Sequence, residues 1–175
     1  MNKYQHLFLY AAIVSALYNT AWASNACASN PDLLSCQQII IGSSGAKIQN
    51  ENIKVSQQQP IILMEQGTTL TKTQYITSST IINESSSAIK FNGSFEKTSE
   101  NKDTWLSIKS KSYIKGKDVA IDFSDATGPA RAEIDNSHIV GNILGNGNKD
   151  KTNKINFKGV SIFDGTEIVG FNSVE

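Results

Sequence analysis

From Gln38 onward almost every apolar cluster of this chain is short, alternates with polar residues and is rich in β-branched side chains. The clearest cases are Ile53-Lys54-Val55, Ala88-Ile89-Lys90-Phe91, Val119-Ala120-Ile121-Asp122-Phe123 and Lys154-Ile155-Asn156-Phe157-Lys158. A period of two sends Ile, Val and Phe to one side of an extended backbone and Lys, Asp or Asn to the other. Each cluster therefore predicts a strand with one buried and one wet face. No 3.6-residue apolar stripe competes with this pattern. Residues 33–41 are the one stretch that fits a short helix, which Gly42 would end. The fold class that follows is all-β.

The clusters also repeat. Their first Ile falls at positions 53, 89, 121 and 155, separations of 36, 32 and 34. A closer echo aligns Ile134 with Ile155 and Ile139 with Val160, an offset of 21. Repeats of this length mark solenoids, in which each coil buries its apolar face only by stacking on the next. An offset near twenty matches one turn of a three-strand parallel β-helix, with the longer separations carrying loops. Such loops are visible at residues 96–103, 124–130 and 145–151. The alternative is an antiparallel β-sandwich, which needs recurrent tight hairpins. Only Asn92-Gly93, Asn146-Gly147 and Asp164-Gly165 qualify, so the solenoid is the reading adopted.

The start of the chain fixes its compartment. Lys3, the apolar run LFLYAAIVSAL over residues 7–17, and small residues at Ala21 and Ala23 form a secretory leader, with cleavage before Ser24. The apolar run is about half the ~20 residues a membrane span requires. Three regions are expected: a signal peptide over 1–23, an N-terminal cap over 24–45, and a β-helical segment over 46–175. With Lys3 removed, 15 basic residues face 16 acidic ones, a net charge of −1, which gives no footprint for nucleic acid. Cys27 and Cys36 follow the cleavage site in an oxidising compartment, so a disulfide is expected. On the chain-entropy formula it would contribute about 2.7 kcal/mol. Their spacing is not that of a redox pair, and no further Cys or His completes a metal site; no metal and no cofactor is expected.

The C-terminal third carries a family likeness. Ser137-His138-Ile139-Val140-Gly141-Asn142-Ile143-Leu144-Gly145-Asn146, then Asn153-Lys154-Ile155-Asn156-Phe157 and Asp164-Gly165-Thr166-Glu167-Ile168-Val169-Gly170, resemble the rung grammar of bacterial autotransporter passenger domains. The resemblance spans about residues 75–175. It implies a right-handed parallel β-helix of the pertactin-like adhesin type, incomplete within these residues, displayed on or released from a Gram-negative cell, and a host surface protein or glycan as partner. Autotransporters also carry a C-terminal translocator barrel, and no such segment lies in residues 24–175. The expectation is therefore an N-terminal passenger segment, with the barrel in cis or a partner completing the last edge. Localisation follows: cell surface, outer membrane or secreted with a translocator, otherwise periplasmic as a small β-protein complete as it stands.

Catalytic chemistry has little support. Once the leader is gone His138 is the single histidine, with Asp135 three residues away but no positioned nucleophile. Stacked repeats would gather Asp118, Asp122, Asp125, Glu133 and Asp135 along one face, as β-helical polysaccharide-degrading enzymes place carboxylates on a groove. Yet the parity of Asp122 between Ile121 and Phe123 puts it simply in water. No catalytic residue is assigned. The candidate binding residues are the aromatics Tyr75, Trp105 and Tyr113, read as loop anchors; for Trp105 the alternative is a place capping the core beside Leu106.

Overall fold

The computed structural model describes residues 38–96, 104–147 and 152–175. The leader over 1–23 and the Cys27–Cys36 pair lie outside them. Seventeen strands are present among the described residues, and every pairing between them is parallel. A sandwich is thereby excluded: the chain is a parallel β-solenoid of about 5 turns.

Strand β1 (Ile39–Ile40) leads in. The first coil holds β2 (Ile48–Gln49), β3 (Asn52–Val55) and β4 (Ile62–Met64), followed by β5 (Thr69–Leu70). The second has β6 (Gln74–Thr77), β7 (Thr80–Asn83) and β8 (Ile89–Phe91), followed by β9 (Ser94–Phe95). The third has β10 (Leu106–Lys109) and the long β11 (Tyr113–Asp122); the fourth has β12 (Arg131–Asp135) and the long β13 (His138–Leu144). The fifth has β14 (Lys154–Lys158), β15 (Ile162–Asp164) and β16 (Ile168–Val169), and β17 (Ser173–Val174) begins another turn. Strands β11 and β13 run through a corner, pairing with a second-face strand at one end and a third-face strand at the other. In place of a helix over 33–41, Ile39–Ile40 is a strand stacked on Ile62–Leu63. The first five residues of that stretch, 33–37, lie outside the described residues.

What holds the coils in register is isoleucine. The first face stacks Ile48, Ile76, Ile108, Ile134 and Phe157. The second stacks Ile53, Ile81, Ile114, Ile139 and Phe163. The third stacks Ile39, Ile62, Ile89, Ile121, Ile143 and Ile168. Neighbouring strands lie about 4.8 Å apart, so like β-branched side chains nest one on another, and a slip of one residue would turn a whole row into water. These ladders also correct the repeat read from sequence. Ile89 does stack on Ile121, but Ile53 belongs to the second face and Ile155, opposite Ala132, to the first. The echo at offset 21 falls two residues short at its first position and three at its second: Ile134 meets Phe157 and Ile139 meets Phe163, while Val160 is 81% exposed at a corner.

The interior of the middle coils is aromatic. Phe91 and Phe123 stack at 5.2 Å, and Trp105 meets the edge of Phe123 at 6.0 Å and Phe95 at 5.3 Å. Corners are closed by polar ladders. At the bend between the first and second faces Ser79, Ser112 and Ser137 are buried. The hydroxyl of Ser112 accepts the Ser79 N–H, and that of Ser137 accepts the Ser112 N–H. Just before them Ser78, Lys111 and Asn136 hold positive φ, as does Asn50 before Glu51 in the first coil, the left-handed step that turns the chain. At the corner before β14, Asn153 accepts from the Ala130 N–H and donates to Asn146 and to the Gly170 carbonyl. Residues 145 and 146, expected in an outer loop, are thus part of the stack. A Cβ on Gly145 would collide with the Gly170 carbonyl, so backbones there approach closer than any other residue permits.

Candidate functional site

The exposed aromatic of the described surface lies on the first face. In β6 the alternation sends Gln74 and Ile76 inward and Tyr75 and Thr77 outward, leaving Tyr75 47% exposed. It is a strand residue, not a loop anchor. The ammonium of Lys109, one coil further on, sits 4.4 Å from the centre of the Tyr75 ring, within cation–π range.

Beside Tyr75 a depression of about 420 Å³ opens, lined by the rim at residues 44–47, by Ile48 and Gln49 of β2, and by Lys72, Thr73, Tyr75 and Thr77. The rim is pinned from below. The buried Gln74 amide accepts the Ala46 N–H at 2.7 Å and donates to the Ala46 carbonyl at 2.7 Å, imitating a strand pair. Thr71 adds a second tether, its N–H and hydroxyl both donating to the Ser43 carbonyl. Thr73 is fixed by donation to the Thr104 carbonyl. Two lysines line this depression and no carboxylate does. Neither Lys47, Lys72 nor Lys109 forms an ion pair with a described residue. Sequence reasoning found Tyr75 but missed the lysines and Gln74, because their convergence depends on which strands stack.

The other candidates fall elsewhere. Trp105 is fully buried, taking the core alternative and offering no surface for a ligand; its indole N–H has no hydrogen-bond partner. Tyr113 opens β11 on the second face and meets His138 edge-on at 5.0 Å. The partner of His138 is Asp164 in the next coil, Nε2 to Oδ2 at 2.7 Å, while Asp135 accepts from Asn136. The acidic residues do not gather on one face. Asp122 and Asp125 clasp Lys90 at 3.3 and 2.7 Å on the third face, and Glu133 holds Lys158 at 2.6 Å on the first. Burial pulls the Lys90 ammonium down, but the Asp125 and Asp122 carboxylates outweigh it and hold its pKa above the usual lysine value. Asp118 and Asp122 line a second hollow of about 410 Å³ with Lys90 and Lys117. No group of three metal-ligating side chains occurs among the described residues.

No family model, no curated protein and no solved structure matches the chain.

Proposed function

We propose that the chain is an autotransporter-type passenger segment, exported by its leader and displayed on or released from the cell, where it works by adhesion. The observation that carries this reading is the rigid, lysine-flanked Tyr75 surface on the side of a stacked β-solenoid. A solenoid sets its outer side chains on a regular backbone lattice, so a contact surface can be presented without any moving part. The pinned rim and the absence of carboxylates lining the hollow favour attachment over turnover, and the partner is a host surface protein or glycan. Function lives in the site and not in the fold, so the Tyr75 surface bears the weight.

The test is direct. Antibodies against residues 24–175 should label intact source cells or their medium, and the purified chain should bind host cell layers saturably. Signal confined to the periplasm, with no saturable binding, would overturn the proposal in favour of a small periplasmic β-protein.

A further inference from the structure

The geometry points to an acidic saccharide, bearing sulfate or carboxylate groups, as the ligand of the depression beside Tyr75. This rests on the adhesive reading and names its chemical class of partner. Three features converge. An exposed tyrosine in a sheet presents a flat π surface against which the C–H faces of a sugar ring can lie. Lys47 and Lys72 line the same hollow and Lys109 sits over the Tyr75 ring, so ammonium groups surround the aromatic, with no acidic residue in the lining. Ser44, Gln49 and Thr77 add side-chain hydroxyl and amide groups free to meet sugar hydroxyls. The hollow, about 420 Å³, falls in the range of pre-formed small-ligand sites.

Lys90, Lys115, Lys154 and Lys158 are each held by a carboxylate, whereas Lys47, Lys72 and Lys109 converge beside Tyr75 with no carboxylate in the lining. Positive charge left unpaired beside an aromatic selects an anion, and the sugar-matched groups between them favour a saccharide over an acidic peptide. Tyr75 itself lies on β6, which is paired on both sides, with β2 and β10, while β2 forms the edge of that sheet, so the glutamate peptide is the competitor the test must include.

Binding to the full mature chain is measured by calorimetry with three probes: a heparin-derived tetrasaccharide, a neutral chito-tetraose, and a glutamate oligopeptide of the same charge. The expected result is saturable binding of the acidic tetrasaccharide, falling with salt, with no binding of the neutral sugar. Tyr75→Ala and the Lys47→Ala/Lys72→Ala pair should each weaken it at least tenfold, while Lys154→Ala leaves it unchanged. Each variant is checked for an unaltered melting curve, and Tyr75→Phe should retain binding, which separates ring stacking from folding. Absence of tetrasaccharide binding, equal or tighter binding of the glutamate peptide, or indifference to Tyr75→Ala would overturn the inference. Saturable cell adhesion that ignores Tyr75→Ala would overturn the inference but leave the adhesive reading standing. Tetrasaccharide binding without cell adhesion would do the reverse.

Discussion

The middle coils and the last coil of the stack are made from the same strand grammar and differ in how their cores are enclosed. In coils two and three Phe91, Trp105 and Phe123 are fully enclosed. In coil five the corresponding inward residues Phe157, Phe163, Ile168 and Phe171 are only half-buried, and Val174 beyond them is 54% exposed. Outside, pairs run along the stack from the second coil onward: Lys90 to Asp122 and Asp125, Lys115 to Glu84, Lys158 to Glu133, Lys154 to Glu175 and His138 to Asp164. Lys47, Lys72 and Lys109 beside Tyr75 form no ion pair with a described residue. The middle and last coils thus differ in how far their interiors are enclosed, while paired charges occur in both.

Substitutions can break this contrast in order of size. Trp105→Ala removes a fully enclosed indole and should cost about 3–5 kcal/mol in denaturant unfolding, against roughly 1 kcal/mol for Phe163→Ala in the half-open coil. Equal costs would mean the cores do not differ. Gln74→Leu strands the Ala46 backbone groups and should cost about 1–3 kcal/mol, while loosening the rim of the hollow enough to weaken tetrasaccharide binding. The corner serines give a matched pair: Ser112→Ala should cost about 1–2 kcal/mol, and Ser161→Ala, at the more open corner, only a few tenths. The smallest effect is one of pH. Because the folded-state pKa of Lys90 lies above its ordinary 10.5, its clasp stabilises below that value and is lost as pH rises through the raised one. Melting temperature followed upward from pH 9 should show an alkaline decline that shrinks in Asp122→Asn/Asp125→Asn. The clasp is largely solvent-screened, so the step is small.

Much of this fold is legible in the chain, and the errors are instructive. Alternation identifies the strands because burial of one face imposes it, and the outward parity of Asp122 follows from the same rule. The coil register is obscured because Ile53-Lys54-Val55 of the second face, Ile89-Lys90-Phe91 of the third and Ile155-Asn156-Phe157 of the first share one pattern, so like clusters on different faces look equivalent. A better marker is Ser79-Thr80-Ile81, Ser112-Tyr113-Ile114, Ser137-His138-Ile139 and Ser161-Ile162-Phe163, which recurs once in each of coils two to five. At this corner the hydroxyls of Ser112 and Ser137 each accept the serine N–H of the preceding coil. Asn92-Gly93 read as a hairpin signal, yet a Cβ on Gly93 would meet the Thr68 carbonyl; the glycine is there for close approach. Tyr75 was visible as an aromatic among polar neighbours. Its lysines were not, since Lys47, Lys72 and Lys109 come together only when β2, β6 and β10 stack.

The division between the middle coils and the last coil is tested most directly by peptide-resolved hydrogen exchange with and without the heparin-derived tetrasaccharide. Exchange should be slowest across β8, β10 and β11 and fastest across β15 to β17, and added saccharide should slow only peptides covering residues 44–49 and 72–77. Uniform exchange along the stack, or saccharide protection centred on β12 and β14, would contradict the account.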